Sequence, residues 1–129
     1  MVEVMDYAES PTKKGLVFMD TAGYDALSVT AKVAGGCQVV VFTTGRGNPL
    51  GNPIAPVLKV TANRETARKM EDNIDLDFIS VFEGTSAIDQ LGQEVLEEVI
   101  HIANGKKTKA EYHGFGFTET VMRRICDYV

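Results

Sequence analysis

The sequence lacks several features that would assign it quickly to a functional class. Its 13 lysine and arginine residues are outnumbered by 18 aspartate and glutamate residues. The resulting net charge of −5 argues against nucleic-acid binding, which needs a basic face. No apolar run approaches the roughly 20 residues that cross a bilayer. The start, MVEVMDYAES, has neither the basic beginning nor the apolar middle of a signal peptide.

Cysteine and histidine are also scarce. The two cysteines, Cys37 and Cys126, are far apart in the sequence. They lack the spacing of a metal site, so we expect reduced thiols in a cytoplasmic protein. The two histidines belong to no histidine–carboxylate cluster with metal-ligand spacing. The sequence by itself therefore leaves any metal ligand unknown.

The length and composition are those of a globular protein. The 129 residues are 44% hydrophobic and 24% charged, which suits one domain with one core. We assign residues 1–14 to a lead-in, in which ESPTKKG is an exposed connector. Residues 15–129 are assigned to a single α/β domain.

A strand–helix–strand pattern opens this domain. The apolar run GLVFMD, residues 15–20, predicts a short strand. Apolar residues at helical spacing predict a helix from about residue 24 to residue 34, which Gly35 and Gly36 end. QVVVF, residues 38–42, is typical of a strand covered on both faces. The pattern predicts a parallel strand pair with a right-handed crossover.

The elements that follow extend the same architecture. Residues 57–61 predict a third strand, and Asn63 is a suitable N-cap for a helix that begins at residue 64. Residues 78–82 predict a fourth strand. An apolar stripe predicts a helix over residues 86–105, with Gly105 as its C-terminal stop. We therefore expect a three-layer, Rossmann-like α/β domain with a mainly parallel sheet.

Two polar segments with glycines follow the first two predicted strands. In open parallel sheets, ligands bind beyond the carboxyl ends of the strands. The glycines of DTAGYD and TTGRGNPLGN let backbone N–H groups approach a ligand closely. Arg46 can then hold a carboxylate through two hydrogen bonds. The side chains presented there are Asp20, Thr21, Tyr24, Asp25, Thr43, Thr44, Arg46, Asn48 and Asn52.

The same segments have a purely structural interpretation. Glycine and proline can serve only to turn the chain, with Arg46 paired to a nearby acid. A second polar segment, MEDNIDLD at residues 70–77, also has two interpretations. Its side-chain oxygens can coordinate a hard cation, although the spacing is not that of an EF-hand. The alternative is a helix end with solvated acids.

Taken in order, three of these segments resemble one family. GLVFMDTAGYDALSVTAKVAGG, VVVFTTGRGNPLGNPIAPVLKVTAN and KMEDNID are similar to the C-terminal region of the altronate and galactarate dehydratases. The large subunit of sulfolactate sulfo-lyase belongs to the same group. The resemblance covers about residues 11–109. It implies an enzyme that eliminates water, or sulfite in the sulfo-lyase, from hydroxylated sugar-acid carboxylates with a divalent metal, iron(II) in the dehydratases.

The resemblance also implies site residues and a partner. By position, it implies catalytic roles for Arg46, Asp20 and Asp25. The implied substrate-binding residues are Thr21, Tyr24, Thr43, Thr44, Gly45, Gly47, Asn73 and Asp75, and the loop pattern adds Asn48 and Asn52. Family members are several times longer, so an upstream catalytic region or subunit is expected as partner, and a homo-oligomer is left open.

This sequence departs from the family pattern at some positions. Many members have proline where this chain has Ala22, and cysteine near the position of Asn52. A cysteine-dependent metal site is therefore not implied. Two functions follow from the sequence. The chain is either the C-terminal domain of a hydro-lyase that is inactive alone, or a stand-alone module for small-anion binding or subunit assembly.

Overall fold

The computed structural model describes residues 1–114, which form short strands and helices in alternation. No helix among these residues is long and apolar enough to cross a membrane. The elements in chain order are β1 (Glu3–Met5), β2 (Val17–Met19), α1 (Asp25–Ala34), β3 (Val40–Thr43), β4 (Val57–Thr61), α2 (Arg64–Lys69), β5 (Leu76–Asp77), α3 (Ile79–Phe82), α4 (Ile88–Ala103) and α5 (Lys109–Tyr112).

The strands form two parallel sheets, which confirms the predicted α/β class. One sheet has the order β3-β4-β5 and the other pairs β1 with β2. Strand β4 is central in the larger sheet, and all five of its residues are buried. Apart from Lys59, its residues are apolar or β-branched, which suits a strand covered on both faces.

Helices α1 and α4 cover the two faces of the larger sheet. Val29 and Val33 of α1 pack against Val40, whereas Ile102 of α4 packs against Leu58. Val40 is the register partner of Val57, and Leu58 is the next residue of β4. Because successive side chains of a strand point to opposite faces, Val40 and Leu58 lie on opposite faces of the sheet, and so do the two helices. The larger sheet is thus the middle of three layers.

The predicted pairing of the first two strands is wrong. Strand β2 pairs with β1, and no ladder joins β2 to β3 among the described residues. β1 lies inside residues 1–14, the expected lead-in, and only the connector ESPTKKG is exposed throughout. Helix α1 lies against both sheets, because its Ala31 packs with Met5 and Met19 of the smaller one. The physical reason is that β1 provides β2 with a parallel partner of its own.

Two further predictions have different outcomes. Residues 78–82 were expected to be a strand, but residues 79–82 form helix α3, and the strand β5 ends at Asp77. The amide of Phe78 donates to the Thr61 carbonyl at 2.7 Å, so pairing with β4 ends there. The long helix α4 ends as predicted, and Gly105 follows it with a φ of 101°, which glycine adopts without a steric cost.

Candidate functional site

A solvent-open cleft lies at the carboxyl ends of β3 and β4. Its volume is about 400 Å³, within the range of small-molecule sites. The position agrees with the rule that ligands bind beyond the carboxyl ends of parallel strands. The lining residues are Thr43, Thr44, Gly45, Val60, Thr61, Ala62, Asn63 and Phe78.

The Thr61 side chain joins the two walls of this cleft. Its hydroxyl donates to the carbonyl of Thr44 at 2.6 Å and accepts from the amide of Asn63 at 3.2 Å. Thr61 is 2% exposed, so these bonds are sheltered from water. The amide of Thr44 also donates to the Val60 carbonyl at 3.0 Å. The segment after β3 is therefore fixed to the end of β4.

Asn63 attaches the same segment to helix α2. As predicted, it is the N-cap of α2, and its Oδ1 accepts from the amides of Glu65 and Thr66. Its Nδ2 donates to the Gly45 carbonyl at 3.0 Å, and the Thr66 hydroxyl donates to that carbonyl at 2.7 Å. The carbonyl of Gly45 thus points toward the start of α2, and one side chain both caps the helix and anchors the loop.

The two glycines around Arg46 have different roles. Gly47 has a φ of 83°, and its amide donates to Thr44 Oγ1 at 3.0 Å. A β-carbon added at Gly47 would overlap Met70 Sδ, so the backbone approaches α2 closely. The Gly47 amide is therefore used within the loop, and the substrate-binding role implied for Gly47 stays a prediction. The amides of Gly45 and Arg46, in contrast, donate to no acceptor within residues 1–114.

Arg46 is exposed and has no ion pair or hydrogen bond with any residue in the described part of the chain. The structural alternative, in which Arg46 pairs with Asp20 or Asp25, is not observed. Arg46 directly follows Gly45, which lines the cleft. The described residues thus leave its guanidinium unpaired.

The segment at residues 20–25 does not line the cleft. Thr21 Oγ1 donates to Ser28 Oγ at 3.1 Å, while Asp20 and Tyr24 are exposed. The Asp25 carboxylate accepts from the Asn48 side-chain amide. The two segments therefore contact each other, but the cleft is shared between β3 and β4. This follows from the sheet order, since β4 and not β2 lies beside β3.

Two predicted binding residues shape the loop between β3 and β4. Asn48 Oδ1 accepts from the Leu50 amide at 2.8 Å. Asn52 is 8% exposed, and its Oδ1 accepts from Ile54 and Ala55. Such side-chain bonds to nearby amides are typical of asparagine in turns. Neither side chain lines the cleft.

Asp75 and Asn73 lie outside the cleft as well. The Asp75 carboxylate accepts from the amides of Lys59 and Lys109, at 2.7 Å and 2.8 Å. Asn73 Oδ1 is buried and has no hydrogen-bond partner in the structure. Asp75 thus links β4 to the start of α5, which is a structural role.

Lys59 is a buried charge in the central strand. Its side chain is 0% exposed, and its Nζ donates to the Leu50 carbonyl at 2.9 Å. Burial lowers the pKa of this ammonium, and the Asp75 carboxylate partly opposes the effect. Through its bond to the Leu50 carbonyl, Lys59 therefore holds the loop between β3 and β4 in place.

The residues present do not fit a complete metal site. Within residues 1–114, no group of three or more histidine, cysteine, aspartate or glutamate side chains is arranged to hold a metal ion. Catalytic zinc sites, for example, use three protein ligands. The described part of this chain can therefore supply no more than a part of a metal centre.

Sequence reasoning missed more than half of the cleft. The missed lining residues lie at the end of β4, directly after it, or just after β5: Val60, Thr61, Ala62, Asn63 and Phe78. The signal was available, because the rule that places ligands beyond strand ends applies equally to β4. Asn63 was recognised only as a helix cap.

Comparison with known proteins identifies the family of this chain. The pattern of the family described as D-galactarate/Altronate dehydratase, C-terminal, matches residues 1–126. The chain belongs to this family. The family resemblance inferred from the sequence segments is thereby confirmed.

Three relatives show how much of a longer protein the chain represents. It is 41% identical to the (2R)-sulfolactate sulfo-lyase subunit beta of Chromohalobacter salexigens, over 95% of this chain and 31% of the relative. It is 36% identical to the galactarate dehydratase (L-threo-forming) of Escherichia coli, over 83% and 20%. It is also 36% identical to the altronate dehydratase of Escherichia coli, over 89% and 23%. The chain thus spans between a fifth and a third of these relatives.

Proposed function

We propose that this chain is the C-terminal domain of a hydro-lyase that acts on hydroxylated sugar-acid carboxylates. The support is its family membership together with the activities for which its relatives are named, two of which are dehydratases. Because the chain spans 20% to 31% of the relatives described above, the proposed enzyme has a further catalytic region or subunit. We place it in the cytoplasm, as the two widely separated cysteines predict.

The observation that supports a ligand site is the set of unused donors beside the cleft. The amides of Gly45 and Arg46 have no acceptor within residues 1–114, and the Arg46 side chain has no partner there. A carboxylate bound at this wall would gain charge-assisted hydrogen bonds, each worth about 1.5–3 kcal/mol when sheltered from water. The sequence prediction of an anion site at Arg46 is retained on this basis.

The proposed reaction requires more groups than the cleft provides. Elimination beside a carboxylate needs a base for the α-proton and donors that stabilise the enediolate. We assign the donor role to Arg46 and the neighbouring amides. Asp20 and Asp25 stay predicted catalytic residues, although neither lines the cleft. A proton-transfer role for them requires the rest of the enzyme to bring the substrate close.

A divalent metal, iron(II) by family resemblance, is part of the proposal. Such an ion would assist departure of the hydroxyl group as a Lewis acid. Residues 1–114 do not assemble a site for it, so we place its remaining ligands outside this part of the chain.

The anion site can be tested by titrating the protein with galactarate, altronate and sulfate while following the backbone amides by NMR. We expect weak binding that shifts the Gly45 and Arg46 amides, because those amides are unpaired. Arg46→Ala should remove binding. Arg68→Ala is the matched control, since Arg68 is equally an exposed arginine but lies on α2 away from the cleft. Shifts confined to other residues, with unchanged binding by Arg46→Ala, would contradict the proposal.

The second candidate function is a module for anion binding or subunit assembly without catalysis. It is favoured by one relative whose name describes a subunit. Assays with altronate, galactarate and sulfolactate plus iron(II) separate the two functions. We expect no turnover from this chain alone, and turnover once the remaining region of a relative is supplied. Turnover by the chain alone that Arg46→Ala abolishes would show a complete catalytic domain.

A further inference from the structure

The smaller sheet has one apolar face that no residue of the described range 1–114 covers. Met5 and Met19 are buried on the inner face, against α1. On the outer face, Val4 is 62% exposed and Phe18 is 57% exposed. Val2 and Leu16 extend this apolar surface and are also exposed. We call these four residues, Val2, Val4, Leu16 and Phe18, the outer face.

An exposed outer face is unusual for parallel strands. Val4 and Phe18 are register partners in a parallel ladder, so their side chains are neighbours on one face. Parallel sheets are ordinarily covered on both faces, and their strands are apolar on both sides for that reason. The run Leu16–Val17–Phe18–Met19 has this two-sided character. The sequence of β2 is therefore that of a strand with a cover on each face.

Helix α4 also exposes apolar side chains, but its surroundings differ. Ile88, Leu96 and Ile100 are exposed along the helix. Acidic residues such as Asp89 and Glu97 lie between them and are exposed too. Scattered apolar residues among charges are normal on a protein surface. The outer face contains four apolar side chains and no charged one, which makes it the stronger candidate for a contact surface.

The relatives indicate what could cover the outer face. At least 69% of the sulfo-lyase subunit lies outside the match, since the chain covers 31% of that relative. Contacts between domains of one enzyme are held partly by tethering, so they can be small. A free dimer needs about 800 Å² on each partner, which four side chains on two three-residue strands cannot provide alone. The outer face thus suits a tethered partner domain better than a second copy of this chain.

We propose that the outer face is the surface on which the catalytic region of the longer enzyme docks, through apolar side chains that pack on Val4 and Phe18. This inference rests on the proposed function, because it takes the chain to be one domain of that enzyme. It adds the location of the contact and the chemistry of the partner surface. The inner face and α1 remain part of this domain.

The test compares this chain alone with a fusion in which it follows the remaining region of the Chromohalobacter salexigens relative. Hydrogen exchange is measured at residues 2–5 and 16–19 in both proteins. We expect exchange in the fusion to slow at least about tenfold there, because docking suppresses local opening. Val4→Lys with Phe18→Lys should remove that protection. Leu96→Lys with Ile100→Lys is the matched control on α4 and should leave it intact.

Several outcomes would overturn the proposal. The first is protection that appears on α4 instead of on the outer face. The second is protection of the chain alone that equals that of the fusion because the chain dimerises. The third is equal protection in both proteins that is lost when the chain is shortened after Gly114. Circular dichroism of the isolated variants checks that they fold, which we expect because all four substituted residues are exposed. Lyase turnover of the fusion is a separate readout. Protection without turnover would support docking and count against the proposed function. Turnover without protection would support the proposed function and overturn docking at the outer face.

Discussion

The segments that follow β2 and β3 are similar in composition but are held in different ways. Residues 20–25 are held by a Thr21–Ser28 hydrogen bond and by the contact between Asp25 and Asn48. Thr44 and Gly45, after β3, are bonded to Thr61, Asn63 and Thr66. The first segment is also joined to its neighbouring strand by one backbone bond, from the Asp20 amide to the Met5 carbonyl at 2.9 Å, whereas side chains bond the second segment both to the end of β4 and to the start of α2.

This difference shows what makes a glycine-rich loop into part of a site. Gly23 and Gly47 both follow strands, yet only Gly47 approaches another element so closely that a β-carbon would overlap it. In the same loop, the Gly45 and Arg46 amides have no acceptor among residues 1–114. A loop anchored through its carbonyls can offer its remaining amides to a ligand.

The largest expected effect distinguishes the two glycines. Gly47→Ala should lower the free energy of unfolding by about 2–4 kcal/mol, because it adds left-handed strain to an overlap with Met70. Gly23→Ala is the control and should change it by no more than about 0.5 kcal/mol, since a β-carbon there meets open space. Urea unfolding measures both. Equal losses would mean that the two segments are held equally tightly.

The next effect concerns the helix caps. Asn63→Ala should cost about 1–2 kcal/mol, because it removes the cap of α2 and the bond to the Gly45 carbonyl. Tyr24 occupies the N-cap of α1 without a side-chain bond and is 77% exposed. Tyr24→Ala should therefore change stability by less than about 0.5 kcal/mol. A larger loss for Tyr24→Ala than for Asn63→Ala, in the same unfolding assay, would reverse the comparison.

A smaller effect should appear in how the free energy of unfolding depends on pH, because deprotonation of Lys59 changes a charge without removing a side chain. Burial lowers the pKa of Lys59 below its ordinary 10.5, so the unfolded chain binds more protons between the folded pKa and 10.5. Stability should therefore rise with pH across that window. The Lys59→Met variant should lack this rise, whereas Lys69→Met, on exposed Lys69, should retain it. A rise of the same size in Lys59→Met would exclude Lys59 as its source.

The smallest effect should come from the contact that joins the two segments. Asn48 donates to Asp25 at the surface, where hydrogen bonds and ion pairs contribute little because water competes. A double-mutant cycle with Asp25→Ala and Asn48→Ala should give a coupling energy below about 0.5 kcal/mol. The cycle cancels the separate bond of Asn48 to Leu50. A coupling above about 1 kcal/mol would show that the segments form one unit.

Much of the fold could be predicted from local patterns. The helix at residues 24–34, the strand Val57–Thr61, the Asn63 cap and the stop at Gly105 all follow from periodicity and capping chemistry. Residues 78–82 were predicted wrongly because a short apolar run fits a strand and a helix equally well. Only the pairing of β5 with β4 distinguishes them.

The candidate site was predictable in part for the same reason. Thr43, Thr44 and Gly45 line the cleft as expected of residues at a strand end. Asn48, Asn52 and Asp75 proved to be engaged with backbone amides. Polar residue types alone do not distinguish a side chain that binds a ligand from one that satisfies a turn.

The sequence by itself determined the α/β class, most helix boundaries and the family, because these depend on residues close together in the chain or on characteristic motifs. Only the tertiary structure decided which strands are neighbours, and with them which loops share a cleft. Pairing β2 with β1 and β3 with β4 moved residues 20–25 away from the cleft and brought Thr61 and Asn63 into it. Hydrogen-bond ladders between distant segments depend on the packing of the whole chain, which local patterns do not specify.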